Sequence, residues 1–537
     1  MTPLDDLMRR VPAFKEWVPM WARVVSFLFC ILVFQCSGGI YLSSVSEMMG
    51  ATTLMQEDIL MAGYASFIGI TMIFPVLFRL KFRLPTRTIL PIVAVGLIVG
   101  NIITMSTDNL MVLAITCFFT GVLRMWGTFE CFSSIQLRIT PTRNFAVFFP
   151  VIYLTVFGCI QFSGLVTTYL TYFYSWHYMH YLAVGLLLVV IVLSQWLLRK
   201  FYLRPPLPLF GIDWLGAVLW SVVLLLIAFA FNYGDYYDWF DSPYIRLALV
   251  CAALFLFLSL QRMWHIRHPY IEPETFKYRH FGTVVLLFFA LNCLSATSTV
   301  LQGAFTGGIL HYDSLNAISL NVPGLLGVVA GALLSLLLLA RWQMSYKTVT
   351  FIGFVLMVAY QLVMYFLISP DMNIERLYLP LFLKNAGNVM IYVTLTTYLS
   401  QIVPFRHFFQ ALCAVGFVRE GIGGPIASAL VARVFKMAMQ SNYYTLGGSL
   451  DAVNPLTGQV PFSAYFGELQ WQATLVSIKQ VFGYAVLLGI LFLIVILFTR
   501  YARITHRVKL FRVPVVGRLF AINLSHERME ESEQAER

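Results

Sequence analysis

From residue 23 to residue 500 the chain is a succession of apolar runs separated by short, mostly basic hinges, and fourteen of those runs are long enough to cross a bilayer. Crossing about 30 Å of hydrocarbon takes roughly 20 apolar residues. In that solvent every backbone polar group must be satisfied within the segment, so a chain of such runs folds as a bundle of helices. A mean hydropathy of +0.78 with 11% charged residues lies far outside the soluble range. The expected fold class is an all-α membrane protein with 14 transmembrane helices.

The runs fall at 23–46, 57–80, 87–106, 109–136, 143–172, 177–198, 212–232, 244–264, 280–305, 314–340, 346–368, 375–402, 405–436 and 474–500. Residues 1–22 carry Asp5, Asp6, Arg9, Arg10, Lys15 and Glu16 ahead of the first run, and no small-residue cleavage site follows it. That pattern predicts a short amphipathic lead and an uncleaved first helix. Alternate hinges hold the positive charge: Arg79, Lys81, Arg83 and Arg87, then Arg138 and Arg143, then Arg199, Lys200 and Arg204, and so on to Arg406. The intervening hinges hold Glu47, Asp235, Asp238, Asp241 and Asp313. The positive-inside rule then places both termini and the basic hinges in the cytoplasm, which an even number of spans permits. The net charge of +11 is mostly this bias. Nucleic acid is therefore not an expected partner.

Eight cysteines, Cys30, Cys36, Cys117, Cys131, Cys159, Cys251, Cys293 and Cys413, fall inside the runs with no C-x-x-C spacing. They are expected to be small buried apolar residues. The nine histidines are scattered, and His177 and His180 at a helix end are expected to be satisfied interfacial side chains. An intramembrane enzyme such as an acyltransferase needs a His or Asp constellation at one membrane face. The sequence offers none, so no catalytic residue, metal site or cofactor is expected.

The hinge after the second run holds Lys81, then Arg87 and Thr88; the hinge after the tenth holds Arg341, then Lys347 and Thr348. The recurrence suggests two six-helix halves, 23–198 and 280–500, with two helices inserted between them at 212–264. Parallel repeats of this kind place a binding site at midplane between the halves and suit alternating access.

Three stretches carry a family resemblance: Ser175-Trp176-His177-Tyr178 leading into Leu182-Ala183-Val184-Gly185; Asp213-Trp214-Leu215-Gly216-Ala217, followed by an aromatic loop with Gly234 and Trp239; and Phe417-Val418-Arg419-Glu420-Gly421-Ile422-Gly423-Gly424. With Asn321-Val322-Pro323-Gly324 and Pro141-Thr142-Arg143 in comparable places, the chain resembles the major facilitator superfamily, in its fourteen-spanner drug:proton antiporter branch of EmrB/QacA type. The resemblance implies proton-driven export of amphiphilic or drug-like compounds across the cell inner membrane. Lipid or organic-anion transport by the same fold is the alternative.

The chain departs from that branch at several of its functional positions. The first-span Asp has its counterpart near Phe34 or Gln35, and the span-four Arg at Cys117; the hinge Asp is absent, and the span-five Gly-Pro pattern is reduced to the stretch from Gly158 to Gly164. Proton coupling through the branch's usual residues does not carry over.

A charge at the bilayer centre costs at least about 2.5 kcal/mol, so each embedded ionisable residue is a functional candidate. These are Arg124 and Glu130 in the fourth run, Lys384 in the twelfth, and Arg419 with Glu420 in the thirteenth. Arg124 lies seven residues after Cys117 on nearly the same helix face, in place to substitute for the missing arginine. Glu130 and Glu420 are the proton-coupling candidates. Adjacent residues of an α-helix point about 100° apart, so Arg419 and Glu420 are each expected to pair with another helix. Among uncharged residues, Gln35, Trp126, Gln161, Asn292 and Asn388 are the substrate-cavity candidates, beside Arg124, Lys384 and Arg419; interhelical hydrogen bonding is their structural alternative. Aromatics make up 16% of the chain. With three embedded bases against two acids and no acid in the first span, they favour an anionic or zwitterionic amphiphile held mainly by apolar contact.

Residues 437–473, with Asn454-Pro455 and Gly458, are expected to form a large outer loop. In Gram-negative members of the branch such surfaces face a periplasmic adaptor and an outer-membrane duct, which are therefore candidate partners beside protons and membrane lipids. The basic tail 501–537 carries Arg503, Arg507, Lys509, Arg512 and Arg518 among apolar residues, a composition suited to the anionic inner leaflet, and is expected to be cytoplasmic.

Overall fold

The computed structural model describes residues 11–202, 211–448 and 461–499, which are helical almost throughout. The long helices are α1 (Met20–Cys36), α2 (Gln56–Met72), α3 (Phe74–Arg83), α4 (Thr86–Ser106), α5 (Leu110–Ile139), α6 (Phe145–Phe173), α7 (His177–Leu197), α8 (Trp214–Asn232), α9 (Pro243–His265), α10 (Phe281–Gly303), α11 (Asn321–Leu336), α12 (Tyr346–Leu367), α13 (Tyr378–Ile402), α14 (Phe405–Gly416), α15 (Gly423–Gly447) and α16 (Phe462–Phe498). Among the described residues, eleven spans are long and apolar enough to cross a membrane, or twelve if α2 and α3, bent by 59°, are one. α1 is short at 17 residues. α13 has 25 residues but is diluted by Lys384, Asn385, Asn388 and its threonines.

Each irregularity has a local cause. The run expected over 23–46 stops at Cys36, because Ser37-Gly38-Gly39 turns the chain through a left-handed Gly39 at φ +79°. A side chain there would be strained and would meet Thr104 and Thr120. The bend after α2 lies at Pro75, which cannot donate a helical N–H. The Val76 N–H donates to the Ile73 carbonyl, and the Met72 carbonyl accepts from the Tyr270 hydroxyl. Ala304–Ile309, Leu337–Arg341 and Phe417–Gly421 are π-helical turns. The expected outer loop 437–473 is helical at both ends, where α15 continues to Gly447 and α16 begins at Phe462. α16 has 37 residues, so it is about 55 Å long and outreaches the hydrocarbon.

Glycines set the closest crossings. A Cβ on Gly69 would strike the Phe118 carbonyl and one on Gly121 the Ser66 carbonyl, so α2 and α5 touch backbone to backbone. Gly327 and Gly331 of α11 approach the Phe382 and Ala386 carbonyls of α13 in the same manner. Without a hydrophobic drive between helices in lipid, such approach supplies the packing. The outward faces stay apolar, as Leu247, Val250, Leu254 and Phe257 of α9 show.

α8 and α9 form a hairpin held by Asp213 and Arg262 at 2.8 Å. α8 lies along both α2 and α15. Its Tyr233 hydroxyl donates to Asp58, Asn232 donates to the Glu57 carbonyl at 2.7 Å, and Trp220 packs on Phe417 at 5.2 Å between centroids. The described part of the lead segment, from Val11, is docked, since Lys15 N–H donates to Leu197 and Arg199 N–H to Ala13, with Phe14 buried beneath. All eight cysteines are free thiols, of which Cys251 and Cys293 are only half-buried. The basic tail and residues 449–460, with Asn454-Pro455 and Gly458, lie outside the described residues.

Candidate substrate cavity

A cavity of about 720 Å³ runs through the middle of the bundle, walled by α1, α2, α3, α5, α6, α10, α13, α14, the π turn Phe417–Gly421 and the start of α15. Its lining is mostly aromatic and aliphatic, and five of the sequence candidates reach it: Gln35, Arg124, Asn292, Arg419 and Glu420. Trp126, Glu130, Gln161, Lys384 and Asn388 are not among its lining residues.

The break after α1 creates the Arg124 site. Ending the helix at Cys36 frees carbonyls that carry the negative end of its dipole. Arg124 Nη2 donates to the Gln35 carbonyl at 2.8 Å and lies 3.4 Å from Gln35 Oε1, while Nη1 reaches Ser66 Oγ at 3.5 Å. Gln35 in turn donates to Thr128 Oγ1 at 2.9 Å. Arg124 Nε is buried without a hydrogen bond, and no carboxylate is among the hydrogen-bond partners of this guanidinium. The site can therefore take an anionic group.

Across the cavity the expectation that Arg419 and Glu420 each pair with another helix is met only for Arg419, and the two also pair with each other. Arg419 Nη2 lies 2.8 Å from Glu420 Oε1, because both sit in the π turn, whose wider winding brings neighbouring side chains together. Arg419 is 5% exposed, donates to the Tyr153 hydroxyl at 3.0 Å, and lies between the Phe288 and Tyr392 rings at 5.8 Å from each centroid. Tyr153 shares a further hydrogen bond with Thr396 at 2.8 Å. Asn292 occupies the carbonyls that the π turn displaces, donating to Val418 at 3.1 Å and lying 3.3 Å from that of Arg419. Glu420 Oε2 is buried without a hydrogen bond.

The remaining candidates have other surroundings. Glu130 is 1% exposed and accepts from Lys81 at 2.7 Å and Thr86 at 2.5 Å. Lys384 donates to Ser298 at 2.5 Å, and Gln161 lies 3.5 Å from Asn385 Oδ1. Trp126 packs between two apolar clusters with its Nε1 unbonded, and Asn388 is half-buried. His180 is buried with Nδ1 3.2 Å from Asn101 Oδ1.

Two features were not visible in the sequence. One is an aromatic contact between lining residues toward the Arg143 end of the cavity: Phe78 of α3 meets Phe405 and Phe409 of α14 at 5.4 and 5.8 Å, and Phe129 meets Phe409 at 5.6 Å. The run Phe405-Arg406-His407-Phe408-Phe409 is its only local signal. The other is a cluster of Glu272, Glu274 and His407.

No family model matches the chain, and no curated protein sequence matches it. Solved structures do resemble it. A peptide transporter, POT, in complex with sulfate is 13% identical with a TM-score of 0.57, covering 93% of this chain and 98% of its own. The nucleoside transporter NupG is 12% identical with a TM-score of 0.51, covering 89% and 100%. The human organic anion transporter MFSD10 is 10% identical with a TM-score of 0.50, covering 91% and 100%. At such identities the likeness is one of architecture. The chain shares the fold of these transporters.

Proposed function

We propose that this protein is a secondary transporter that moves anionic or zwitterionic amphiphiles by alternating access, driven by protons. The observation that carries the reading is Arg124, a basic side chain on a largely apolar cavity with no carboxylate among its partners. At an effective dielectric of about 20, an anionic group about 4 Å from such a charge gains about 4 kcal/mol, against about 1 in water. The apolar lining suits the rest of an amphiphile.

Fourteen spans follow if α1, the α2–α3 pair and α13 each cross the membrane beside the others. The contact of Gly69 and Gly121 in the first six spans has its counterpart in Gly327 and Gly331 in the last six, which supports a repeated half. Glu420, facing the cavity with one oxygen unbonded, is the residue we assign to proton coupling. Export through the cell inner membrane, with cytoplasmic termini, rests on the charge of the hinges and on the family resemblance. So do the periplasmic adaptor and the outer-membrane duct. Organic-anion transport is the second reading, favoured by the same Arg124 and by the likeness to an organic anion transporter.

The test is transport into proteoliposomes under an imposed pH gradient. A bile-salt-like anionic amphiphile is expected to move and to collapse part of the gradient. Good transport of an ethidium-like cation with no response to the anion overturns the electrostatic reading.

A further inference from the structure

Glu272, Glu274 and His407 stand apart from the cavity. They come from the segment between α9 and α10 and from the third residue of α14, and each brings one ligand atom to within 4.8 Å of the others. His407 is 4% exposed. Its Nε2 lies 2.8 Å from Glu272 Oε2 and 4.0 Å from Glu274 Oε2, yet makes no hydrogen bond. The nitrogen thus faces two carboxylates without being aimed along an N–H at either. Tetrahedral nitrogen and oxygen ligands about 2.0–2.1 Å from a zinc ion stand about 3.3 Å apart, a spacing that these two distances bracket.

The surroundings hold this arrangement. His407 Nδ1 lies 2.7 Å from the Tyr278 hydroxyl. With Nδ1–H donating to that oxygen, Nε2 carries its lone pair toward the carboxylates, the orientation that outer-shell partners impose on metal-binding histidines. Gln410, one turn along α14, accepts from the Glu272 backbone N–H at 3.1 Å and from Thr275 Oγ1 at 3.4 Å, so the two segments are joined independently of the cluster. Arg406 is the nearby cation, 3.8 Å from Glu272 Oε2, and its side chain is 76% exposed and able to swing into solvent.

We propose that Glu272, Glu274 and His407 bind a divalent transition-metal ion of the zinc class, with water completing the shell. An imidazole with two carboxylates suits zinc better than magnesium or calcium, which prefer oxygen ligands throughout.

The test is isothermal titration of the tag-free, full-length protein with Zn²⁺ in a buffer containing Mg²⁺, together with the visible absorption of bound Co²⁺. Saturable binding of one Zn²⁺ per chain is expected. It should be lost in His407→Ala and Glu272→Gln and weakened about tenfold in Tyr278→Phe. Glu274 is exposed, so Glu274→Gln folds normally and carries the test if the buried variants do not; its affinity should fall at least about tenfold. Absence of saturable Zn²⁺ binding, which an ordinary His407–Glu272 ion pair gives, overturns the proposal. Unchanged affinity in Glu274→Gln overturns the three-ligand site.

Discussion

Lys81 Nζ lies 2.7 Å from Glu130 Oε1, with side chains 9% and 1% exposed, so the acid of α5 is answered by a base from the last turn of α3. Thr86, at the start of α4, donates to the same oxygen. Three helices therefore meet on one carboxylate beneath the hinge. On the proposed mechanism, this arrangement gives Glu130 the part of a structural tie and proton coupling is assigned to Glu420.

Breaking such a pair from one side costs about 3–5 kcal/mol, because the surviving charge is buried alone. Glu130→Gln should therefore lower the thermal unfolding temperature in detergent, and Lys81→Met combined with Glu130→Leu should recover most of the loss. A Glu130→Gln protein that keeps its stability but loses gradient-driven transport would return Glu130 to a coupling role.

Arg124 offers a comparison of charge against shape. Hydrogen bonds to charged groups contribute about 1.5–3 kcal/mol. Arg124→Ala should thus raise the apparent KM for an anionic amphiphile roughly tenfold or more. Arg124→Lys, which retains the charge but not the planar fork that spans Gln35 and Ser66, should lie between. Gln35→Asp would pair with Arg124 and shift preference toward cations. Competition between an anion and a cation in the same vesicles measures all three.

Periodicity and hinge charge are local properties, and they revealed the helical membrane fold and the embedded charges. Partnership is a property of tertiary distance. Nothing near Glu130 in the chain announces Lys81, 49 residues away, and nothing near Glu272 announces His407. The Arg419–Glu420 contact was hidden differently, because an ideal α-helix separates neighbours that a π turn brings together. The early end of α1 was legible in Gly38-Gly39, but an apolar run on either side masked it.

Helix crossings set by glycine predict a graded response to one methyl group. Gly121→Ala would drive a Cβ into the Ser66 carbonyl, a backbone atom that cannot yield. Overpacking of that kind costs about 1–3 kcal/mol. Gly185→Ala meets nothing within 4 Å and should be nearly silent. Thermal unfolding of the two variants side by side checks the contrast, and equal losses would contradict the α2–α5 crossing.

The phenylalanines at the Arg143 end predict an access difference. Phe409 touches Phe78 and Phe129 on the other side of the cavity, so Phe409→Ala removes the ring shared by both contacts. Ser133 lines the cavity. A cysteine placed there should react faster with a water-soluble thiol reagent in the Phe409→Ala background, after subtraction of the protein without that cysteine. Equal rates would show that these rings do not gate.

Coupling through Glu420 makes the sharpest demand, because its two carboxylate oxygens have different surroundings. Arg419 holds Oε1 at 2.8 Å, while Oε2 is buried without a hydrogen bond in a residue that lines the cavity. Glu420→Gln preserves the shape and the bond to Arg419 but removes the exchangeable charge. Gradient-driven transport should be abolished, while binding of the amphiphile, followed by quenching of intrinsic tryptophan fluorescence, should persist, and exchange down a substrate gradient should continue at neutral pH. Loss of binding together with transport would assign Glu420 to the substrate. Unchanged gradient-driven transport would remove it from the mechanism and, with Glu130 engaged by Lys81, would leave neither coupling candidate in the proposed role.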